Sequence, residues 1–199
     1  MEPFEAVLGD WFGPLGPDGA PAEAKQRRWF QGGAELDAEL RVRFGAEVEA
    51  ALAGQREAWA ATPRGRLALV VLLDQFPRNI YRGTARAFAG DAGALRHAQA
   101  AVDAGEDTRL APIERQFLYL PFEHAEDPAQ QARSVALFGR LASQATPTLR
   151  ESLEEALDYA RRHQVAIERF GRFPARNAAL GRASTPEEQA FLAEHPFGF

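Results

Sequence analysis

The chain has 199 residues, 46% of them hydrophobic, and its 28 Asp and Glu residues outnumber its 23 Lys and Arg residues. A net charge of −5 argues against a generic nucleic-acid or anionic-membrane binder, and we predict neither as a partner. The absence of Cys excludes disulfides, thiolate zinc sites, iron–sulfur clusters and cysteine nucleophiles. The length suits a single helical domain over residues 1–199.

The N-terminus lacks the basic and apolar regions of a signal peptide. The longest strictly apolar run, Leu67–Leu73, is too short to span a bilayer. We therefore expect a soluble, cytoplasmic protein. A short first helix is followed by a Gly/Pro-rich loop at residues 13–21.

Helix-start signals recur along the chain. A plausible boundary residue is followed by proline at Thr62-Pro63, Ala111-Pro112, Asp127-Pro128, Thr146-Pro147 and Thr185-Pro186. Proline at the first helical position loses no hydrogen-bond donor, and Thr or Asp before it can cap the first turn. Glu188 completes a capping box with Thr185. With weaker starts near the N-terminus, the pattern predicts an all-α fold of seven to nine helices.

The segment Leu67–Leu73 is apolar on every side, which fits either a buried parallel strand or a buried helix. Its Thr-Pro start, its Leu and Ala content and the lack of a neighbouring strand signal favour a central buried helix.

Two segments, residues 74–84 and 171–181, resemble each other. Each follows an apolar helix and contains Phe-Pro, then Arg-Asn, then Gly four residues later. This pattern predicts that each helix stops at the Phe before Pro, that Asn tolerates a left-handed backbone, and that Gly supplies a positive φ. One interpretation is that both segments are purely structural turns.

The alternative interpretation is functional, since arginines cluster around both segments. Arg78 and Arg176 would converge as a fork for a carboxylate or phosphate if the two segments lie close together. Otherwise these arginines pair with Asp74, Glu123 or Glu126 inside the fold. The candidate ligand-binding residues are Arg78, Asn79, Arg172, Arg176 and Asn177.

Two histidines extend apolar helical stripes. His163 continues the stripe of a long amphipathic helix at about residues 148–170, and His124 extends that of residues 112–122 if the helix continues through Pro121. Core-facing His residues are often structural, but acids beside both of them indicate a shared polar site. The candidate catalytic residues are Asp74, His124, Glu126 and His163. We assign His97 to the surface and give His195 no role.

No metal or cofactor is predicted. His124, His163, Glu126 and Asp127 are the conceivable metal ligands, but no closely spaced ligand pair exists. The chain also lacks G-x-S-x-G, Walker A and G-x-G-x-x-G sequences.

Five segments resemble the uncharacterised domain-of-unknown-function family numbered 924, namely Val7–Gly13, Leu72–Asn79, Phe117–Asp127, Arg169–Asn177 and Leu180–Arg182. The resemblance implies an all-helical fold of the tetratricopeptide-like superfamily and supplies no established activity. Ala175 and Ala125 stand where the family pattern often has His and Ser. The resemblance therefore leaves Arg176 and Asn177 as groups that hold a ligand rather than perform chemistry.

Two functions follow as hypotheses. In the first, a polar pocket binds a small anionic molecule, with arginines holding the anion and a His–acid pair accepting a proton. In the second, the protein is a helical-repeat adaptor that binds a peptide or protein, and the polar motifs are structural.

Overall fold

The computed structural model describes residues 2–195. Its α-helices, in chain order, are α1 (Phe4–Trp11), α2 (Glu23–Gln31), α3 (Ala34–Leu52), α4 (Pro63–Val70), α5 (Phe76–Ile80), α6 (Asp91–Asp103), α7 (Pro112–Glu123), α8 (Pro128–Ser143), α9 (Arg150–Phe170) and α10 (Pro186–Glu194). A π-helical turn, Val71–Gln75, joins α4 and α5 into one continuous rod. Within residues 2–195 there are thus nine helices and no strand, which confirms the all-α prediction and the number of helices.

Proline begins four of these helices at the predicted positions. The side chains of Thr62 and Asp127 each accept a hydrogen bond from the backbone N–H three residues later, at 3.1 and 2.9 Å. Thr185 and Glu188 form the expected capping box, at 2.8 and 3.2 Å. The N–H groups that a helix leaves free in its first turn are satisfied in this way.

The start at Thr146-Pro147 is wrong by three residues. Pro147 opens a turn in which the Leu149 N–H bonds the Thr146 carbonyl at 3.1 Å, and α9 begins only at Arg150. The Thr146 hydroxyl is buried and has no hydrogen-bond partner among the described residues, so it does not cap a helix.

The predicted stop at Phe76 is also wrong. In the π turn the Phe76 N–H bonds the Val71 carbonyl, five residues back. Pro77 then occupies the first turn of α5, and the rod continues to Ile80. The wider turn lets the chain take up a proline, which a regular helix interior would not tolerate.

In the second of the two similar segments, α9 ends at Phe170 because Gly171 has a φ of +67°. Phe173 lies three residues further on, so the stop at Phe is wrong here too. Gly83 and Gly181 have positive φ values of 77° and 64°, as predicted. No described residue other than glycine has a positive φ, so the left-handed conformation expected at Asn does not occur.

The rod from Pro63 to Ile80 forms the centre of the molecule and contacts α1, α3, α6 and α7. Leu67–Leu73 is buried throughout, which confirms the prediction of a central buried helix. Each fully buried Leu or Val in it contributes about 1.5–3 kcal/mol. A smaller apolar cluster, Ala166, Ile167 and Phe173, lies apart from this core near the C-terminal end.

The Gly/Pro-rich loop at residues 13–21 lies outside the helices, as predicted, and an isolated bridge between Leu15 and Pro21 closes it. None of the helices within residues 2–195 combines the length and the apolar content that a membrane span requires.

Gly90, just before α6, has no room for a side chain. A Cβ atom there would lie 2.1 Å from the carbonyl oxygen of Leu73 in the π turn, so a side chain would push α6 away from the rod. We expect Gly90→Ala to destabilise the protein by about 1–3 kcal/mol, as overpacking does.

The matched control is Gly45→Ala in the middle of α3, where the nearest atom is an Arg41 side-chain carbon at 4.0 Å. This change should stabilise the protein by about 0.5–1 kcal/mol through helix propensity. Urea unfolding of both variants measures the difference, and equal effects would show that the close approach at Gly90 is unimportant.

Candidate functional site

The site is built around Asp74, whose side chain is 0% exposed within the π turn. Its Oδ1 lies 2.7 Å from His124 Nδ1 and 3.1 Å from Arg78 Nη1. Burial alone would raise the pKa of Asp74, but Arg78 and His124 outweigh it and hold that pKa well below its usual range. Asp74 is therefore a buried anion.

His124 follows the last residue of α7, and this helix runs through Pro121, which meets the condition for placing His124 on the apolar stripe. Burial and the charge of Arg78 lower the pKa of His124, so the ring is neutral at pH 7. An ionised carboxylate only accepts hydrogen bonds, which assigns the Nδ1 proton to the bond with Asp74. The lone pair of the ring is then on Nε2.

The arginines of the two similar segments converge on Asp91 in the first turn of α6. Arg78 donates to both Asp91 oxygens, at 2.8 and 3.1 Å, and Arg176 Nη1 donates to Oδ2 at 3.2 Å. Arg176 Nη2 also bonds the His124 carbonyl at 2.9 Å. Arg78 and Arg176 are thus brought together, as the functional interpretation requires, and each is paired inside the fold.

Two aromatic rings lie against the guanidinium groups. The Arg176 carbon Cζ is 4.9 Å from the ring centre of Phe88 and 4.6 Å from that of Phe173, and Arg78 Cζ is 5.6 Å from Phe88. Such contacts are favourable through the electron-rich ring face. Burial and the neighbouring charge of Arg78 nevertheless lower the pKa of Arg176 to about 10.

The imidazole of His163, in α9, lies beside that of His124, with 6.3 Å between the two ring centres. Its Nδ1 is 2.9 Å from the Tyr159 carbonyl and 3.5 Å from Glu123 Oε1. Burial and His124 lower the pKa of His163 to about 4. Burial and the charge of Asp74 raise the pKa of Glu123 to about 8. At neutral pH the side chains of Glu123 and His163 are therefore both uncharged.

Part of this network lines a cleft of ≈ 290 Å³, whereas Asp74, Asp91 and Glu123 lie outside the lining. Its polar side consists of Arg78, His124, His163 and Arg176. Its apolar side consists of Phe88, Ala166, Phe173, Pro174, Ala175 and Phe191. The cleft therefore joins an arginine pair and two neutral imidazoles to an apolar wall, half of whose residues are aromatic.

Two predicted ligand-binding residues instead fasten the C-terminal segment. Arg172 donates to both carboxylate oxygens of Glu188 at 2.6 and 2.8 Å, next to the capping box of α10. Asn177 is buried and donates to Ser184 at 3.0 Å and to Glu188 at 3.2 Å. Neither lines the cleft.

Asn79 and Glu126 also lie outside the cleft lining. Asn79 donates to the Gln75 carbonyl, one turn back, at 2.9 Å. Glu126 accepts two bonds from Arg182, at 2.7 and 2.9 Å, and one from the Phe173 N–H at 2.9 Å. The alternative of internal ion pairing therefore describes Asp74, which pairs with Arg78, and Glu126, which pairs with Arg182 and holds the loop that carries Phe173.

The prediction that His97 lies on the surface is wrong. His97 is 5% exposed, and its Nε2 lies 3.4 Å from the Glu57 carboxylate. It sits on the buried face of α6 with Ala94, Ala98 and Ala101. His195 follows α10, and its ring packs against Phe191 at 4.9 Å between ring centres.

Three residues of the site were missed by sequence reasoning. Asp91 and Phe88 stand outside the similar segments and carry no motif, so nothing in the sequence marks them as partners of the arginines. Glu123 was considered as an ion-pair partner of the arginines and as an acid beside His124, but not as a site residue, although its position on a buried helix indicates a perturbed carboxyl group.

Across residues 2–195, no three His, Cys, Asp or Glu side chains are grouped so that they could hold a metal ion. The two positive guanidinium groups beside His124 and His163 also disfavour a cation there.

Comparison with known proteins confirms the family resemblance. A family described as bacterial proteins of unknown function, DUF924, matches residues 7–196. A solved structure of a protein of unknown function from Agrobacterium tumefaciens is similar, with 36% identity, a TM-score of 0.81, and coverage of 96% of this chain and 97% of that one. No curated protein matches the chain.

Removal of the carboxylate shared by the two arginines should destabilise the site. We expect Asp91→Asn to lower the free energy of unfolding by about 1–3 kcal/mol, because two buried guanidinium groups lose their common partner. This value is below that of a fully buried pair, since the Arg78, Asp91 and Arg176 side chains are 13–23% exposed.

The control for this substitution is Asp103→Asn at the other end of α6, where the pair with Arg133 is largely exposed. It should change stability by less than about 0.5 kcal/mol. Chemical denaturation compares the variants, and an equally small effect at Asp91 would show that the arginines do not depend on it.

The buried carboxyl of Glu123 should make stability depend on pH. With a pKa of about 8 in the folded protein against 4.5 in a free side chain, the proton is held in the folded state after the unfolded chain has lost it. Stability therefore falls as pH rises from about 4.5 to about 8, by up to about 1.4 kcal/mol per pH unit.

Glu123→Gln removes the ionisable carboxyl group and with it this fall in stability. The variant should therefore become increasingly more stable than the wild type as pH rises from 5 to 8. His163, whose pKa is lowered to about 4, acts in the opposite direction between about pH 6.5 and 4, and it is unchanged in the comparison. Urea midpoints at pH 5, 7 and 8 are the measurement. Parallel profiles for the two proteins would contradict the protonated state of Glu123.

Proposed function

Since the chain belongs to the bacterial family of unknown function DUF924, we propose a function from the geometry of the site: the cleft binds a small anionic molecule through Arg176 and Arg78, and His124 accepts a proton from it. The observation that carries this proposal is a pair of buried guanidinium groups that line a cleft beside an imidazole held by a buried carboxylate.

Arg176 has donors to offer a ligand. A guanidinium group has five N–H donors, and the described residues occupy two of those of Arg176, one with Asp91 and one with the His124 carbonyl. Burial and the charge of Arg78 both disfavour its positive charge and lower its pKa to about 10. An anion in the cleft would relieve this cost and use the remaining donors.

His124 meets the requirements of a general base. Asp74 fixes the ring orientation through Nδ1 at 2.7 Å, and a neutral imidazole leaves the Nε2 lone pair available to a ligand. The same division of roles, in which a buried Asp orients a His, serves proton transfer in hydrolytic triads. The proposal extends to proton acceptance and names no complete reaction.

The adaptor hypothesis requires an exposed apolar groove away from the cleft. A groove of ≈ 490 Å³ lies between α1, the following loop and the start of α7. Among its apolar residues Leu8 and Phe12 are each only 1% exposed, Leu15 and Ala111 are half-buried and Pro14 is exposed, and Arg64 spans the groove with bonds to Glu5 and Glu114. It offers little apolar surface to a peptide, so the small-molecule function is better supported.

Three further predictions accompany the proposal. We expect a cytoplasmic location, a single domain over the chain, and tetratricopeptide-like packing of helix pairs. The succession of α7, α8 and α9, in which α8 packs against both of the others, supports such pairing.

A thermal-shift screen against phosphates, nucleotides, carboxylates, amino acids and divalent metals tests the proposal. An anion at about 100 times its Kd should stabilise the protein by roughly 2.7 kcal/mol, which is a shift of several degrees. Arg176→Gln should abolish this shift. Arg169→Gln is the control, because Arg169 forms an exposed pair with Glu187 outside the cleft lining.

A flat screen in which Arg176→Gln merely lowers the melting temperature would overturn the proposal and favour the adaptor. A shift that survives Arg176→Gln would equally contradict it, because the anion would then bind elsewhere.

A further inference from the structure

The chemistry of the cleft wall restricts which anion fits. We propose that the occupant is a small monocarboxylate that carries an aromatic or branched hydrocarbon group. This inference rests on the proposed function, and it specifies the class of anion that Arg78 and Arg176 hold.

The lining contains few groups that could satisfy a polar ligand. Six of the lining side chains are apolar, and the four polar ones are two arginines and two histidines. No hydroxyl or amide side chain lines the cleft within the described part of the chain. A sugar or a nucleoside would bury hydroxyl groups without partners, and each such group costs free energy.

The volume of the cleft also favours a small ligand. At ≈ 290 Å³, the cleft lies at the lower limit of ordinary ligand pockets, which span roughly 300–1,000 Å³. It has room for a carboxylate and one ring or branched chain, and it is too small for a dinucleotide or a coenzyme.

The charges favour one negative charge on the ligand rather than two. Two positive groups, Arg78 and Arg176, are matched by two negative ones, Asp74 and Asp91, so the formal sum is zero. Glu123 and His163 add none at neutral pH. A monoanion adds one charge to a balanced site, whereas a phosphate dianion would repel Asp91 twice as strongly.

The orientation of Arg176 favours a carboxylate. The rings of Phe88 and Phe173 lie against its guanidinium group, and Nη1 and Nη2 each donate one bond inside the protein, so a ligand would use the remaining N–H groups at the guanidinium edge. A planar carboxylate accepts two parallel bonds from such an edge. Its hydrocarbon group would then extend over Phe173 and Phe191, where stacked or edge-on rings are favourable.

Isothermal titration calorimetry with matched probes tests this inference. The probes are phenylacetate, acetate, phenyl phosphate, inorganic phosphate and benzyl alcohol. Phenylacetate should bind at least tenfold more tightly than acetate or phenyl phosphate, and benzyl alcohol should bind more weakly than phenylacetate by a similar factor.

Two variants separate the ring contact from the anion contact. Phe173→Ala should reduce the preference for phenylacetate over acetate. Since Phe173 also packs with Ala166 and Ile167, a second variant avoids any loss of folding. Ala175 is an exposed residue of the cleft lining, and Ala175→Phe should block phenylacetate, whereas Ala178→Phe, at an exposed position outside the lining, should not.

The outcomes distinguish the two proposals. If phosphate or phenyl phosphate binds more tightly than phenylacetate, and Arg176→Gln abolishes that binding, the monocarboxylate inference is overturned and the proposed function stands. If benzyl alcohol binds as well as phenylacetate, the anion contact is absent and both fail. If no probe binds, the monocarboxylate inference fails, and the thermal-shift screen decides the proposed function.

Discussion

The negative charge of Asp74 lies in the middle of the molecule, without access to water, and the surrounding structure is arranged to stabilise it. A carboxylate at such depth would be protonated unless positive and hydrogen-bonding groups faced it. Arg78 supplies the charge and His124 the hydrogen bond. Arg78 in turn forms an ion pair with Asp91, and Asp91 also accepts a hydrogen bond from Arg176, which lies 85 residues further along the chain.

This arrangement explains why the site is both a structural centre and a candidate for function. A network whose hydrogen bonds were all made inside the protein would have none left for a ligand in a neighbouring cleft. Here the network borders on solvent, and Arg176 retains donors that the described residues do not occupy. A network of this kind stabilises the fold on one side and offers a ligand its unmet hydrogen bonds on the other.

Much of the fold follows from local signals, and much of the site does not. Caps at Thr62, Asp127 and Thr185 place helix starts because capping chemistry acts within one turn. His124 and His163 were found through helical periodicity. The stop expected at Phe76 failed because the local rule for proline assumes a regular helix. Asp91 and Phe88 escaped prediction because their role exists only when three separate segments meet.

The π turn has a consequence for what insertions and deletions this chain tolerates. A π turn places one residue more in its turn than an α-helix does, and each residue of an α-helix advances the chain by about 100°. The side chains after Gln75 are therefore rotated about the helix axis by about 100° from the directions that an unbroken continuation of α4 would give them. Regular winding at unchanged length would therefore turn Arg78 away from Asp91, whereas regular winding combined with the loss of one residue from the turn other than Asp74 would leave Arg78 at the same angle.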